Sequence, residues 1–168
     1  SQNFSKRNGL NFSNNLLYRH RFGKMGRTIT LGWQTTASNS EGEGQNFSPY
    51  TFFDEFGNIL RQTNQNIAST QKTNSFNNTL SSSFTEPIGL NKLLEFNYAY
   101  TNNKNTSDRQ VFNFDPTSGK YEEVNLAQTN YFENGFLAHR GGLNFRVKQA
   151  KYDYQLGGAV QWSELESF

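Results

Sequence analysis

Two histidines, His20 and His139, and no cysteine make up the whole stock of imidazole and thiolate metal ligands in this 168-residue chain. A zinc site needs three or four converging ligands, and these two imidazoles lie far apart, each in the apolar register of its own strand. They read as packed or interfacial side chains. Serine and threonine are abundant, yet none sits in the G-x-S-x-G elbow that lifts a nucleophile out of a strand-to-helix turn. Asp54, Glu55, Asp115, Glu122 and Glu123 are the carboxylates that could gather calcium or flank a glycosidic bond. Their spacing matches no calcium loop and nothing fixes an acid–base separation, so they read as solvated hairpin tips. Tyr50, Phe52, Phe53, Phe56, Phe112, Phe114, Tyr121, Tyr131 and Phe132 crowd the same stretches. They could stack on a ligand, though packing of extended hairpins on one another is the simpler reading. No enzyme, cofactor or metal is expected.

The elements that must position these residues follow from composition and period. Only 33% of the chain is hydrophobic and 15% is aromatic, so Leu, Ile and Val are too scarce for a comfortable globular interior. A mean hydropathy of −0.83 would suit disorder. Charged residues are just 18%, however, and Pro occurs three times; Asn, Ser, Thr and Gly supply the polarity, as in strands, turns and polar walls. The net charge of +2 and the lack of a dense basic–aromatic stretch exclude a nucleic-acid surface. No run approaches the ~18 apolar residues of a membrane helix, and Ser1 to Asn14 lacks the basic start and apolar block of a signal peptide.

Period-two alternation then lays out three hairpins, at about 10–37, 73–102 and 136–163. In the first, Leu10, Phe12, Leu16, Tyr18, His20 and Phe22 share one register, the tight turn holds Gly23 and Gly26, and Ile29, Leu31 and Trp33 answer. In the central one, Phe76, Leu80 and Phe84 face Leu94, Phe96, Tyr98 and Tyr100 across a turn expected at Glu86-Pro87-Ile88-Gly89, because Pro87 cannot donate to a ladder and Gly89 accepts positive φ. In the third, Leu143 and Phe145 alternate with Asn144 and Arg146, Lys148-Gln149-Ala150-Lys151 turns the chain, and Leu156 and Trp162 follow on the return strand. Between the hairpins run long outer loops, about 38–72 and 103–135. Each carries a secondary hairpin signal in which an aromatic and an Asp precede a Gly: Phe53-Asp54 before Gly57, and Phe114-Asp115 before Gly119. The fold class is therefore all-β, an antiparallel up-and-down meander of six long strands plus loop hairpins, in a single segment spanning 1–168.

Two regularities decide what the sheet faces. The tight turns recur at intervals of roughly 62 residues, with long connections only between them, which is how outer-membrane barrels sort periplasmic turns from extracellular loops. Within strand interiors every charge falls in the polar register, which obeys the depth rule that an Arg or Lys facing lipid at mid-depth costs about 2–4 kcal/mol. Lipid is thus expected against Leu16, Tyr18, Leu31, Trp33, Leu80, Phe84, Phe96, Tyr98, Leu143, Phe145, Leu156 and Trp162. An aqueous lumen is expected against Arg19, Arg21, Gln34, Glu95, Arg140, Arg146 and Asp153.

With these motifs laid out, the chain resembles the barrel region of the Bacteroidetes outer-membrane β-barrel family related to TonB-dependent receptors. The resemblance rests on Leu16-Leu17-Tyr18-Arg19-His20-Arg21-Phe22 followed by Gly26-Arg27-Thr28, on Phe84-Thr85-Glu86-Pro87-Ile88-Gly89 with Leu94-Glu95-Phe96-Asn97-Tyr98, and on Phe114-Asp115 with Thr117-Ser118-Gly119-Lys120-Tyr121. It covers about Leu10 to Leu165. It implies a barrel of about 22 strands with an N-terminal plug, nutrient uptake across the cell outer membrane, and a TonB-like energy transducer as partner. The chain shows no plug, and six wall strands fall below the roughly eight of a closed barrel, so it is expected to be an internal slice. Its partners are then outer-membrane lipid and the missing remainder of the barrel with its plug; outside lipid, the fragment would self-associate through its strand edges. The alternative is a soluble, secreted all-β binding module whose aromatic loops hold carbohydrate or protein.

Overall fold

The computed structural model describes residues 2–167, and these form seven antiparallel strands in one open meander sheet with no helix. The strands are β1 (Gln2–Arg21), β2 (Thr28–Phe53), β3 (Ile59–Gly89), β4 (Lys92–Asp115), β5 (Lys120–Val124), β6 (Asn130–Lys148) and β7 (Asp153–Ser167). Their spatial order is β1-β2-β3-β4-β6-β7, with the short β5 paired to β4. Six are long, as the alternation predicts.

A single-layer sheet has nothing to bury its faces against. Among the described residues, the buried hydrophobic side chains are Val111, Ala138 and Val147, joined by Thr35 among the polar ones. The accessible surface is 12680 Å², whereas a globular monomer of this mass exposes about 8,500 Å². Scarcity of Leu, Ile and Val and absence of a core are one fact seen at two levels.

Internal packing divides the chain into two units. The turn unit comprises Asn11–Ala37, Ser75–Asn105 and Asn134–Phe168; the tip unit comprises Ser1–Leu10, Ser38–Asn74 and Thr106–Glu133.

In the turn unit, β1 and β2 meet through residues 22–27, where the amide of Phe22 donates to the carbonyl of Arg27 (3.1 Å) and Gly26 takes φ +88°. β6 and β7 pair in unbroken register from Asn134↔Ser167 to Lys148↔Asp153. The central turn differs from expectation. Glu86, Pro87, Ile88 and Gly89 all remain in β3, and the reversal occurs at Leu90-Asn91. Gly89 stays out of the positive-φ region, and Asn91 adopts it instead at φ +60°. Asn tolerates the left-handed conformation almost as Gly does, and Pro87 sits near the strand end, where a missing ladder donor matters least.

In the tip unit, the stretches expected as long loops are hairpin extensions. β2 and β3 run on to a tip at residues 54–58, where Asp54 accepts from the amides of Phe56 (2.9 Å) and Asn58 (2.8 Å) and Gly57 takes φ +80°. β4 and β5 close a second tip at residues 115–120. There Asp115 Oδ1 accepts from the amide of Thr117 (2.8 Å), and Gly119 takes φ +69°. Both tips therefore use one device, an Asx-type turn that ends in a left-handed glycine. Residues 125–129 then fold over fully buried Val111: the Asn125 amide donates to the Val111 carbonyl (2.7 Å), and Thr129 Oγ1 accepts from the Val111 amide (3.0 Å).

Candidate functional site

The turn unit presents the two faces that the alternation predicts. Side chains on successive strand residues point to opposite sides, so residues two apart along each strand share a face. Leu16 and Tyr18 from β1, Leu31 and Trp33 from β2, Leu80 from β3 and Tyr98 from β4 line one apolar hollow of about 390 Å³. Phe84 and Phe96 share the parity of Leu80 and Tyr98. On β6 and β7, Phe145 stands opposite Leu156 and His139 opposite Trp162, with Leu143 in step. His139 joins this set to β4: its Nδ1 lies 2.8 Å from the hydroxyl of Tyr98, and its ring lies 5.1 Å from that of Tyr100. The apolar face is open, with Leu80 44% and Trp162 77% exposed.

Two polar groups of this face are paired within it. Asn78, which interrupts the apolar register of β3, accepts at Oδ1 from Trp33 Nε1 and from Thr35 Oγ1, both at 2.7 Å. The pairing was missed from sequence, although a Trp whose indole N–H needs a partner across from an out-of-place Asn is its signal. His20 lies against Phe22, ring centroids 4.7 Å apart and edge to face. Neither histidine is near a metal cluster: among the described residues, no three His, Cys, Asp or Glu side chains gather to hold an ion.

On the other face, Thr30, Ser81, Ser83, Asn97, Arg140 and Gln155 border a concavity of about 700 Å³. Its floor is kept low by Gly142, Gly157 and Ala159. Glu95 accepts from Asn97 Nδ2 (2.9 Å) and Asn144 Nδ2 (3.1 Å). Asn144 lies directly across from Gly157, and a Cβ at Gly157 would overlap its amide oxygen. Arg146 Nε donates to Asp153 Oδ1 (3.0 Å), and a second guanidinium nitrogen contacts Oδ2. Of the residues expected on this side, Glu95, Arg140, Arg146 and Asp153 are thus placed on or beside one polar surface. Arg19, Arg21 and Gln34 are exposed on β1 and β2 at the matching parity.

Charges outside the strand interiors are also ordered. At the turn end of β3, Glu86 accepts from Lys24 Nζ (2.6 Å), Arg27 Nε (2.6 Å) and Arg27 Nη2 (2.8 Å). The hydrogen bonds from Arg27, and after them those from Lys24, hold its carboxyl down to about 2. In the tip unit, the Asn58 amide lowers Asp54 and the Thr117 amide lowers Asp115. Both carboxylates are engaged by the amides of their own turns. Tyr121 is likewise occupied, donating to Asn66 Oδ1 (2.9 Å) and packing on Phe114 (5.3 Å). Tyr50, Phe52, Phe53 and Phe56 remain exposed. No protein-family model and no curated protein sequence matches the chain.

Proposed function

We propose that this chain is wall of an outer-membrane β-barrel of the receptor and transporter type, related to TonB-dependent receptors and serving nutrient uptake. The observation that carries the reading is the exposed apolar face of the turn unit, on which Asn78 is paired with Trp33 and Thr35 and His139 with Tyr98. In water such a face exceeds by far the apolar patches that soluble monomers tolerate; against acyl chains it is at rest. The stretches of β1 and β2 in that unit, residues 11–21 and 28–37, have the length of a tilted transmembrane strand, about 9–11 residues. Edge strands β1 and β7, exposed along nearly their whole length, suit continuation of the ladder by the remainder of the barrel. The polar face, with its glycine floor and Glu95–Asn144 network, then borders water, plug or substrate.

The test is fractionation and heat-modifiable gel mobility of the native protein. Recovery with the outer membrane, release only by detergent, and a folded band that shifts on boiling are expected. A compact monomer in detergent-free solution overturns the reading in favour of a secreted binding module. That second reading draws on the exposed tip aromatics, with Phe56 82% exposed, which offer flat apolar surfaces to a sugar or protein.

A further inference from the structure

Charge divides unevenly between the two units. The tip unit carries nine carboxylates against six Lys and Arg, and the turn unit ten Lys and Arg against five carboxylates. Within the turn unit the excess sits at the tight turns, and the structure brings those turns together. A Cβ on Gly26 would lie 3.5 Å from Pro87 Cβ and 3.6 Å from Leu93 Cδ2, so the first turn rests on the second. The amide of Lys148 donates to the carbonyl of Asn91 (2.9 Å), joining the second turn to the third. The resulting rim holds Arg21, Lys24, Arg27, Lys92, Lys148 and Lys151, with Glu86 as the carboxylate set among them and Asp153 already engaged by Arg146. Lys92 and Lys151 make no ion pair among the described residues.

Two further features accompany the cations. Aromatic rings lie beside the rim: Phe22 packs 6.3 Å from Phe84, and Tyr152 stacks 6.2 Å from Tyr154. The turn tips themselves expose apolar side chains, Met25 at 81% and Leu90 at 93%. Cations, interfacial aromatics and protruding aliphatic groups in one rim match the layered chemistry of a bilayer surface, from phosphate through glycerol to the first methylenes.

We infer that the turn rim is a binding surface for anionic phospholipid headgroups, selecting them over zwitterionic ones in the leaflet that the tight turns reach. The inference rests on the barrel-wall reading. Charge complementarity commits it to lipid phosphate: six cations gather at the turns around one carboxylate that is already shared by two of them.

The experiment is quenching of a reporter Trp by brominated lipid. The full chain carrying Leu90→Trp, with Trp33→Phe and Trp162→Phe so that the reporter is its one indole, is folded into phosphatidylcholine vesicles that contain equal mole fractions of either brominated phosphatidylglycerol or brominated phosphatidylcholine. Heat-modifiable mobility is followed on the same samples. The brominated anionic lipid is expected to quench the reporter more strongly, less so as salt rises, with the preference falling about fivefold per lysine in Lys92→Gln, Lys148→Gln and Lys151→Gln. Arg61→Gln and Lys120→Gln, in the tip unit, leave it unchanged. A folded chain quenched equally by both lipids, or by neither, overturns the inference and leaves the barrel reading standing. A chain that gains no heat-modifiable form in any vesicle overturns the barrel reading and the inference with it.

Discussion

The turn unit and the tip unit are woven from the same long strands, yet they obey different rules. In the turn unit parity governs: one register is mainly apolar and the other small and polar. The charges that share the apolar parity, among them Arg27, Glu86, Lys92, Lys104 and Glu164, lie near the turns or toward the far ends of the unit's segments, and the interior Asn78 and His139 are answered by partners on their own face. In the tip unit parity gives way to local chemistry. Asp54 and Asp115 organise their turns, Gly57 and Gly119 end them, and charged and aromatic residues mix freely. The difference teaches that a β-ladder alone does not select its side chains: the same backbone pairing carries a sorted two-faced pattern in the turn unit and a mixed one in the tip unit.

The sharpest way to break this comparison is to put a charge on each unit. Leu31→Arg is expected to lower stability in vesicles by about 2–4 kcal/mol, read by denaturant unfolding; Phe52→Arg in the tip unit should change it by less than about 0.5 kcal/mol. Equal effects would dissolve the distinction. Next in size is Asn78→Ala, which strands the indole N–H of Trp33 and the hydroxyl of Thr35; about 1–3 kcal/mol of destabilisation is expected, with a change in Trp fluorescence that marks the freed indole. Gly57→Ala tests the tips. The site is sterically empty, so the cost is that of left-handed backbone alone, about 1 kcal/mol, and thermal unfolding should show Gly119→Ala to be its equal.

The smallest effect concerns pH. The carboxyl of Glu86 is depressed to about 2 from an unfolded value near the model 4.5, so its contribution is fully present above the unfolded value and disappears as pH falls through the folded one. Stability should therefore be flat from pH 8 to about 5 on account of this group and decline between about 4.5 and 2. Glu86→Gln should flatten that decline, as seen in unfolding midpoints across the acid range.

Much of this was legible in the chain because period-two alternation and face assignment are the same information. The six long strands, the apolar set from Leu16 to Trp162, and the two Asp-to-Gly tips all follow from local pattern. The second turn did not. Pro87 and Gly89 are the stronger turn formers, but ladder pairing carried β3 past them and left Asn91 to take the positive φ. The partners of Asn78, Glu86 and Glu95 were hidden for another reason: each is met across strands by a residue more than 40 positions away, and register at that range is set by the whole sheet rather than by any short stretch. The extension of β2 and β3 through 38–72 was read as loop because its Asn, Ser and Gly content resembles loop composition, while its backbone pairs like any strand.

The clasp of residues 125–129 over Val111 makes β5 a side branch. β4 exchanges one neighbour for another at that buried valine, pairing β5 beyond it from Phe112↔Val124 onward, while β6 begins afresh at Asn130. Everything between Asp115 and Lys120 can therefore lengthen, shorten or be replaced without passing a change of phase into the ladder that β6 continues. The protein thus holds a socket in which surface variety can accumulate while its wall stays in step.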